Sequence, residues 1–384
     1  MTQGGHSLVI CIVCHQAYAA LCGRGSGFVG GVECQTSFLA RWLAQRGHDV
    51  TMVTWDEGGP VEETVGGVHI IKICRRDEGI KGIRYFYPRW TGLVRALRRA
   101  DADVYYHNGG GGGTGQIALW CRKNHKCFVF STASDADCDP AFPAVSKHEH
   151  WLYRLGLSEA DRLIVQTQTQ QSRLRTEFGL DSVIIPLPCL VPLVGQQVRG
   201  MPLSQRVLWV GRVCPVKRPD RLLDLAQACV DLSFDLVGPF CGPDGSIGEH
   251  ARSIQDRAAR IPNLQVHGPM NHGGLSQLYS NALCLCCTSE YEGFPNTFVE
   301  AWSHGLPVIS TLDPDGVIAL HNLGIVARDI REIQAAIRSL LDAPARYQEI
   351  SGNARRYFLD NHQADSVLPR FESLFLETIA CQNA

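Results

Sequence analysis

The sequence predicts an α/β protein whose two domains are each built on a doubly wound parallel sheet. Short apolar, β-branched runs alternate with helical segments along the 384 residues, a pattern typical of parallel strands covered by helices. Prolines and glycines then crowd together near the middle, as expected for a linker. They are Pro186, Pro188, Pro192, Gly195, Gly200 and Pro202. We therefore predict an N-terminal domain over 1–192, a C-terminal domain over 203–362 and a last helical segment over 363–384.

The first domain opens with a strand–loop–helix–strand unit. The apolar run Ser7–Cys14 predicts a buried strand, Val32–Arg46 predicts a helix and Asp49–Thr54 predicts the next strand. Between the first strand and the helix lies the glycine-rich loop Gly23–Gly31. Gly30 and Gly31 would present bare amides at the start of the helix, which suits close contact with a phosphate. A flexible turn without a ligand is the alternative.

The pattern continues through both domains. In the first, we predict strands over Val68–Cys74, Val104–His107, Lys126–Ser131, Ala160–Thr167 and Ser182–Pro186, and helices over Gly92–Arg99, Gln116–Asn124 and Ser172–Phe178. In the second, we predict strands over Gln205–Gly211, Phe234–Val237, Asn263–His267, Leu283–Cys287 and Val308–Ser310, and helices over Pro219–Val230, Gly274–Asn281, Thr297–His304, Arg331–Leu341, Pro344–Leu359 and Ser366–Ile379.

The most informative stretch runs from Ser289 to Thr311 and contains two carboxylates, Glu292 in a loop and Glu300 in the following helix. In α/β sheets, ligands bind where such loops meet helix N-termini. We expect the amides around Asn296–Phe298 to be available to a ligand. A structural alternative exists, because Thr297 and Glu300 also spell a T-x-x-E capping box.

A second motif, VGRVCPVKRPD, lies between a predicted strand and a predicted helix. Its cations Arg212 and Lys217 combine a guanidinium fork with a point charge, which suits a diphosphate that gains charge as a sugar departs. Two solvated surface charges are the alternative.

These motifs together resemble glycosyltransferase family 4, whose members are retaining enzymes with the GT-B fold. EGFPNTFVE, followed by A-x-x-x-G-x-P-V, resembles the family's E-x7-E motif, and GRVCPVK resembles its G-R-x-x-x-x-K motif. The resemblance would place Glu292 by the donor sugar, Glu300 on the nucleotide ribose, and Arg212 with Lys217 on the pyrophosphate. It would also place Gly30 and Gly31 in contact with the donor phosphates. Further donor contacts would come from Phe294, Pro295, Asn296 and Thr297.

The resemblance implies two Rossmann-like domains facing a cleft, with the donor on the second and the acceptor on the first. It also implies that the last helix folds back onto the first domain. The expected reaction is a hexosyltransferase-type transfer (EC 2.4) from a nucleotide-diphosphate sugar, without metal or cofactor. Two alternatives stay open: an epimerase acting on the sugar nucleotide, and a non-catalytic sugar-nucleotide-binding protein.

On the acceptor side we single out Asp135, which follows one predicted strand of the first domain, and His107, which ends another. Many family members carry a histidine where this chain has Ala133, so the details of the mechanism do not transfer directly. Asp135 and Asp137 also spell D-x-D, a motif that can hold a divalent ion; because they lie in the first domain, we expect no metal at the diphosphate.

A nicotinamide-binding protein is a rival interpretation, since Gly25–Gly30 and Gly110–Gly115 both match G-x-G-x-x-G. The first match begins well after its strand, and the second lies in a glycine run that fits almost any glycine pattern. The net charge of −2 and the absence of a basic tail argue against nucleic acid. The 16 cysteines sit partly in apolar runs and lack zinc spacing.

We expect a cytoplasmic protein, with peripheral membrane contact left open. Its partners would be the nucleotide sugar and an acceptor that is a carbohydrate, a lipid-linked group or a small molecule.

Overall fold

The computed structural model describes residues 7–23, 30–141, 146–189, 200, 205–240, 246–270 and 272–382. It separates them into two compact units. The first unit comprises the chain up to Pro186 together with the segment from Val367 onward, and the second comprises Leu187–Ser366.

Within the described residues, the first unit is built on one sheet. Its strands are β1 (Val9–Val13), β2 (Asp49–Thr54), β3 (Glu62–Val65), β4 (Val68–Lys72), β5 (Val104–Asn108), β6 (Cys127–Ser131), β7 (Arg162–Val165) and β8 (Val183–Ile184). Its helices before the second unit are α1 (Tyr18–Cys22), α2 (Gly31–Gln45), α3 (Thr91–Ala100), α4 (Gly112–Asn124), α5 (Lys147–Ser158) and α6 (Gln168–Arg173). Among the described residues the strand order is β3-β4-β2-β1-β5-β6-β7-β8.

One edge strand departs from the predicted parallel sheet. β3 pairs with β4 in the antiparallel direction, whereas the other strand pairs of this sheet are parallel. The hairpin turns at Gly66 and Gly67, whose φ angles are 59° and 84°. A Gly-Gly pair between two short β-branched runs is a sequence signal for such a turn, and it was missed.

The glycine run after β5 has a packing role that the sequence did not reveal. Helix α4 begins within this run, at Gly112, rather than at the predicted Gln116. A Cβ atom on Gly115 would lie 2.1 Å from the carbonyl oxygen of Leu152 in α5, and one on Gly156 would lie 2.7 Å from the Gly115 nitrogen. The two helices therefore approach so closely that neither position has room for a side chain.

The second unit contains a wholly parallel sheet within the described residues. Its strands are β9 (Arg206–Val210), β10 (Ser233–Val237), β11 (Leu264–Gly268), β12 (Cys284–Cys287), β13 (Val308–Ser310) and β14 (Gly324–Val326), in the order β11-β10-β9-β12-β13-β14. Its helices are α7 (Pro219–Ala228), α8 (Glu249–Ala258), α9 (His272–Asn281), α10 (Asn296–Ser303), α11 (Val317–Leu320), α12 (Ile330–Asp342) and α13 (Pro344–Asn361). The strand order reverses between β9 and β12, and such a switch point is where open α/β sheets bind ligands.

The last helix, α14 (Ala364–Gln382), packs on the first unit from Val367 onward. The ring of Phe375 lies 5.6 Å from that of Tyr106 in β5. Glu372 accepts a hydrogen bond from His48 at 2.8 Å and pairs with Arg46 at 3.1 Å. These contacts tie the end of the described chain to the sheet and to the residues that follow α2.

Candidate active site

In the second unit, the loops that follow β9 and β12 are fastened to each other. The two strands are neighbours in the sheet, so their carboxyl ends open at the same edge. Thr288 Oγ lies 2.8 Å from the carbonyl oxygens of both Lys217 and Arg218. The indole of Trp209 in β9 donates a hydrogen bond to the same hydroxyl at 3.0 Å. The loop that carries the Arg–Lys motif is therefore held against the loop that carries Glu292.

Glu292 and Lys217 form an ion pair at this edge. Lys217 Nζ lies 2.5 Å from Glu292 Oε2, and the hydroxyl of Ser289 donates to Oε1 at 2.6 Å. The Glu292 side chain is only 12% exposed, so solvent screens the pair weakly. The family resemblance assigned these two residues to different parts of a donor, and the structure shows them in direct contact with each other.

Arg212 lies in the same loop, two residues after the end of β9, and is half-buried. The backbone there is tightly packed, since a Cβ atom on Gly238 would lie 1.8 Å from the carbonyl oxygen of Gly211. Val213 then donates its amide to the carbonyl of Pro239 at 3.0 Å. Arg212 thus projects from backbone that is fixed on both sides.

Glu300 lies in α10 and its carboxylate accepts a hydrogen bond from the hydroxyl of Tyr279 in α9, at 2.7 Å. Burial raises the pKa of this carboxyl to about 7. The alternative capping box does not form: α10 begins at Asn296, one residue earlier than predicted, and the residue before it, Pro295, occupies the N-cap position. Thr297 therefore stands inside the helix, and the Glu300 carboxylate points to Tyr279 instead of to the helix start.

The loop before α10 differs from expectation in two details. The amide of Phe298 donates to the Pro295 carbonyl at 3.0 Å, so it is not available to a ligand as we expected. Phe294 is buried, with its ring 6.0 Å from that of Trp302 and 5.3 Å from that of His362. Its side chain belongs to the core of the unit. Asn296 and Thr297, both half-buried, form the first turn of the helix.

In the first unit, Gly30 is the N-cap residue of α2 and Gly31 is its first helical residue, one position before the predicted start at Val32. The Gly30 carbonyl accepts the amide of Cys34 at 3.1 Å. The rest of the first glycine-rich match, 25–29, lies outside the described residues.

Both carboxylates of the D-x-D sequence after β6 accept hydrogen bonds from nearby groups of the first unit. Asp137 is 4% exposed, and its carboxylate accepts amides from Gly110, Ala133 and Ser134 at 3.1, 2.6 and 3.0 Å. Burial raises its pKa, while these amides oppose the rise. Asp135 accepts from the side chain of Gln170 at 3.0 Å. Across the described ranges, no three His, Cys, Asp or Glu side chains are grouped as metal ligands would be.

A cluster that includes His107 lies at the carboxyl edge of this sheet. His107 Nδ1 lies 2.8 Å from the carbonyl oxygen of Val13, so Nδ1 carries the proton and Nε2 is left with a lone pair. Its ring is 6.4 Å from that of His15, which stacks on Trp55 at 4.6 Å. Burial lowers the pKa of both histidines, that of His15 to about 3. Arg89 lies over the Trp55 ring at 5.6 Å.

Three residues of this cluster, His15, Trp55 and Arg89, were not among the predicted site residues. His15 and Trp55 each stand just after a buried strand, which was a usable signal. Arg89 was not marked by any pattern, because it reaches this edge from the segment before α3.

Comparison with known proteins identifies both halves of the chain. Residues 30–189 match the family model of the glycosyl transferase 4-like domain, and residues 204–343 match that of the glycosyl transferases group 1. A D-inositol 3-phosphate glycosyltransferase of Kineococcus radiotolerans is 25% identical over 389 residues, covering 86% of this chain and 87% of the relative. One from Gordonia bronchialis is 27% identical over 254 residues, 59% of this chain and 55% of the relative.

Many solved structures share the fold, among them the following two. Sucrose-phosphate synthase from Thermosynechococcus elongatus superposes with a TM-score of 0.77 at 19% identity, covering 97% of this chain and 99% of that one. Anabaena HepE, solved in complex with UDP and glucose, gives 0.73 at 15% identity, covering 96% and 99%. In the part of the chain that the structure describes, no helix has the length and apolar character to cross a membrane. The two family models match consecutive segments that together cover most of the sequence. The chain therefore belongs to the glycosyltransferases of the GT-B fold that join a glycosyl transferase 4-like domain to a group 1 domain.

Proposed function

We propose that this glycosyltransferase is a retaining, metal-independent hexosyltransferase that uses a nucleotide-diphosphate sugar. The observation that carries the proposal is the 2.5 Å contact between Lys217 and Glu292, at the switch point of the second sheet and on the loop that leads into α10. A cation and a carboxylate in contact there offer one group for a diphosphate and one for the hydroxyls of a sugar.

Each side chain then has a distinct role. Arg212 and Lys217 neutralise the departing diphosphate, which makes a divalent ion unnecessary at this edge. Donor binding exchanges the partner of Lys217, from the Glu292 carboxylate to the diphosphate, and frees Glu292 for the sugar. Glu300 accepts hydrogen bonds from the ribose hydroxyls, with Tyr279 holding one of its oxygens. The oxygen of the leaving phosphate assists attack by the acceptor hydroxyl on the same face of the sugar, so no protein nucleophile is required.

The first experiment is a thermal-shift screen against nucleotide-diphosphate sugars. It begins with uridine donors, because the similar HepE structure holds UDP and glucose. A donor at about 100 times its Kd stabilises the folded protein by roughly 2.7 kcal/mol. The donor found is then incubated with a panel of acceptors, and the anomeric configuration of the product is read by NMR. Retention is the expected result; inversion would refute it. An altered donor sugar without transfer would indicate an epimerase, and binding without turnover a non-catalytic protein.

The second experiment tests the cations. Arg212→Ala should cost about 3 kcal/mol of transition-state stabilisation, roughly a hundredfold in kcat/KM. Lys217→Ala should cost a similar amount, and the double variant less than the sum, since both groups act on one diphosphate. Arg252→Ala, an exposed arginine of α8, is the matched control. Activity should survive EDTA. Loss of activity in EDTA with recovery in Mn²⁺ or Mg²⁺, together with an active Arg212→Ala, would overturn the assignment.

A further inference from the structure

The first unit exposes an unusual set of large apolar side chains between β4 and α3 and on α5. Ile80, Ile83, Phe86, Tyr87 and Trp151 are 73%, 58%, 50%, 65% and 56% exposed. Single exposed hydrophobic residues are ordinary, but a contiguous group marks an interaction site. Together these five residues form the apolar patch.

Ring contacts connect the two segments of the patch. The ring of Phe86 lies 6.1 Å from that of His148 in α5, and His148 lies 6.3 Å from Trp151. Phe86 also stacks on Trp90 at 6.0 Å. The segment before α3 and the outer face of α5 therefore form one surface.

The two segments that form this surface also carry basic side chains. Between Arg75 and Arg89 the chain has five Arg or Lys residues and two acidic ones, Asp77 and Glu78, which leaves a net charge of +3. Arg75, Arg76 and Lys81 are exposed, as is Lys147 at the start of α5. Glu78 accepts the backbone amide of Arg75 at 3.0 Å. The patch thus combines apolar tips with an excess of positive charge.

We propose that the apolar patch seats the first unit on an anionic bilayer surface. Aromatic rings favour the membrane–water boundary, aliphatic tips enter the acyl region, and flanking Lys and Arg pair with anionic headgroups. A protein partner would also cover apolar area, but the exposed cations Arg75, Arg76, Lys81 and Lys147 of the same two segments match the negative charge of an anionic lipid surface.

The position of the patch indicates the kind of acceptor, a step that rests on the proposed function. Tyr85, between Ile83 and Phe86, lies beside the start of α4: a Cβ atom on Gly112 would be 2.8 Å from its hydroxyl oxygen. This is the sheet edge that carries His107 and His15. A bilayer under the patch would bring a lipid-linked hydroxyl to this edge, whereas a freely diffusing acceptor would need no such surface.

The test measures sedimentation of the full chain with phosphatidylcholine vesicles, with and without phosphatidylglycerol. The apolar variant is Ile83→Ser with Trp151→Ser, matched by Val230→Ser with Leu320→Ser, which removes two residues that are 78% and 75% exposed in the second unit. The charge variant is Arg75→Gln with Lys81→Gln. Its control is Arg331→Gln with Arg356→Gln, both exposed.

We expect the wild type to bind the anionic vesicles with an affinity that weakens as salt is added. The apolar variant should lose at least tenfold in vesicle affinity, and the charge variant about fivefold for each cation removed. Both control variants should bind like the wild type. Equal binding of all four variants, or no binding by the wild type, would overturn the proposal. Self-association without vesicles that the apolar variant abolishes would assign the patch to protein contact and also overturn it. Donor thermal shifts, recorded on the same proteins, report on the proposed function separately because none of the substituted residues is assigned to the donor.

Discussion

Glu300 offers a test in which stability and function change in opposite directions. Burial raises the pKa of its carboxyl from 4.5 to about 7. The folded state therefore favours the protonated form, and the resulting stability is fully present below about pH 4.5 and is lost as the pH rises through about 7. At about 1.36 kcal/mol per pH unit, the gap between the two values corresponds to a loss of roughly 3 kcal/mol, an upper bound for a side chain that keeps some solvent contact.

The substitution Glu300→Gln removes this loss. A glutamine is neutral at every pH, and its side-chain oxygen can still accept the Tyr279 hydroxyl. Ligand-free wild type and variant should therefore have similar melting temperatures near about pH 5, and the variant should melt higher near about pH 8. In a unit of this size, each kcal/mol shifts the midpoint by roughly 2–4 °C. Glu349→Gln, an exposed carboxylate of α13, is the control.

Donor affinity should change in the other direction. If Glu300 binds the ribose, an amide in place of the carboxylate weakens charge-assisted hydrogen bonds, and the donor Kd should rise about tenfold or more. Calorimetric titration near about pH 8 measures this, where wild-type Glu300 is ionised. A difference in melting temperature that does not depend on pH would show that ionisation of the buried carboxyl does not destabilise the fold. An unchanged donor Kd would remove the ribose role.

The other predictions concern one further carboxylate and two glycines. Glu292→Ala should lower kcat/KM for the donor. The free nucleoside diphosphate should bind the variant at least as tightly as it binds the wild type, because Lys217 loses a competing partner. A parallel loss of diphosphate affinity in titrations would contradict this assignment. Gly115→Ala should strongly destabilise the first unit in chemical unfolding, since its Cβ meets a backbone oxygen at 2.1 Å; near-wild-type stability would show that α4 and α5 can separate. Gly352→Ala, inside α13, should stabilise the fold by up to about 1 kcal/mol, because an added Cβ would meet nothing within 4 Å beyond its own helix backbone; a lower melting point would contradict this.

Most of the helices and strands were predictable because they depend on local patterns. β2 and β13 have the predicted bounds, and α10 is shifted by a single residue. The helices over Lys147–Ser158 and Glu249–Ala258 were missed, as was the hairpin at Gly66. Short or charge-rich amphipathic segments carry a weak periodic signal, and packing against the sheet decides whether they form.

The sequence by itself determined the fold class and the E-x7-E and Arg–Lys motifs, because strand period, helix period and motif spacing are properties of neighbouring residues. Only the tertiary structure decided what each charged group contacts. It paired Lys217 with Glu292, turned Glu300 away from the helix start and toward Tyr279, and committed Asp137 to three backbone amides. These partners come from different loops and helices that meet only when the sheet assembles. The free energy of burying each carboxylate, and hence its pKa, depends on that assembly and not on local spacing.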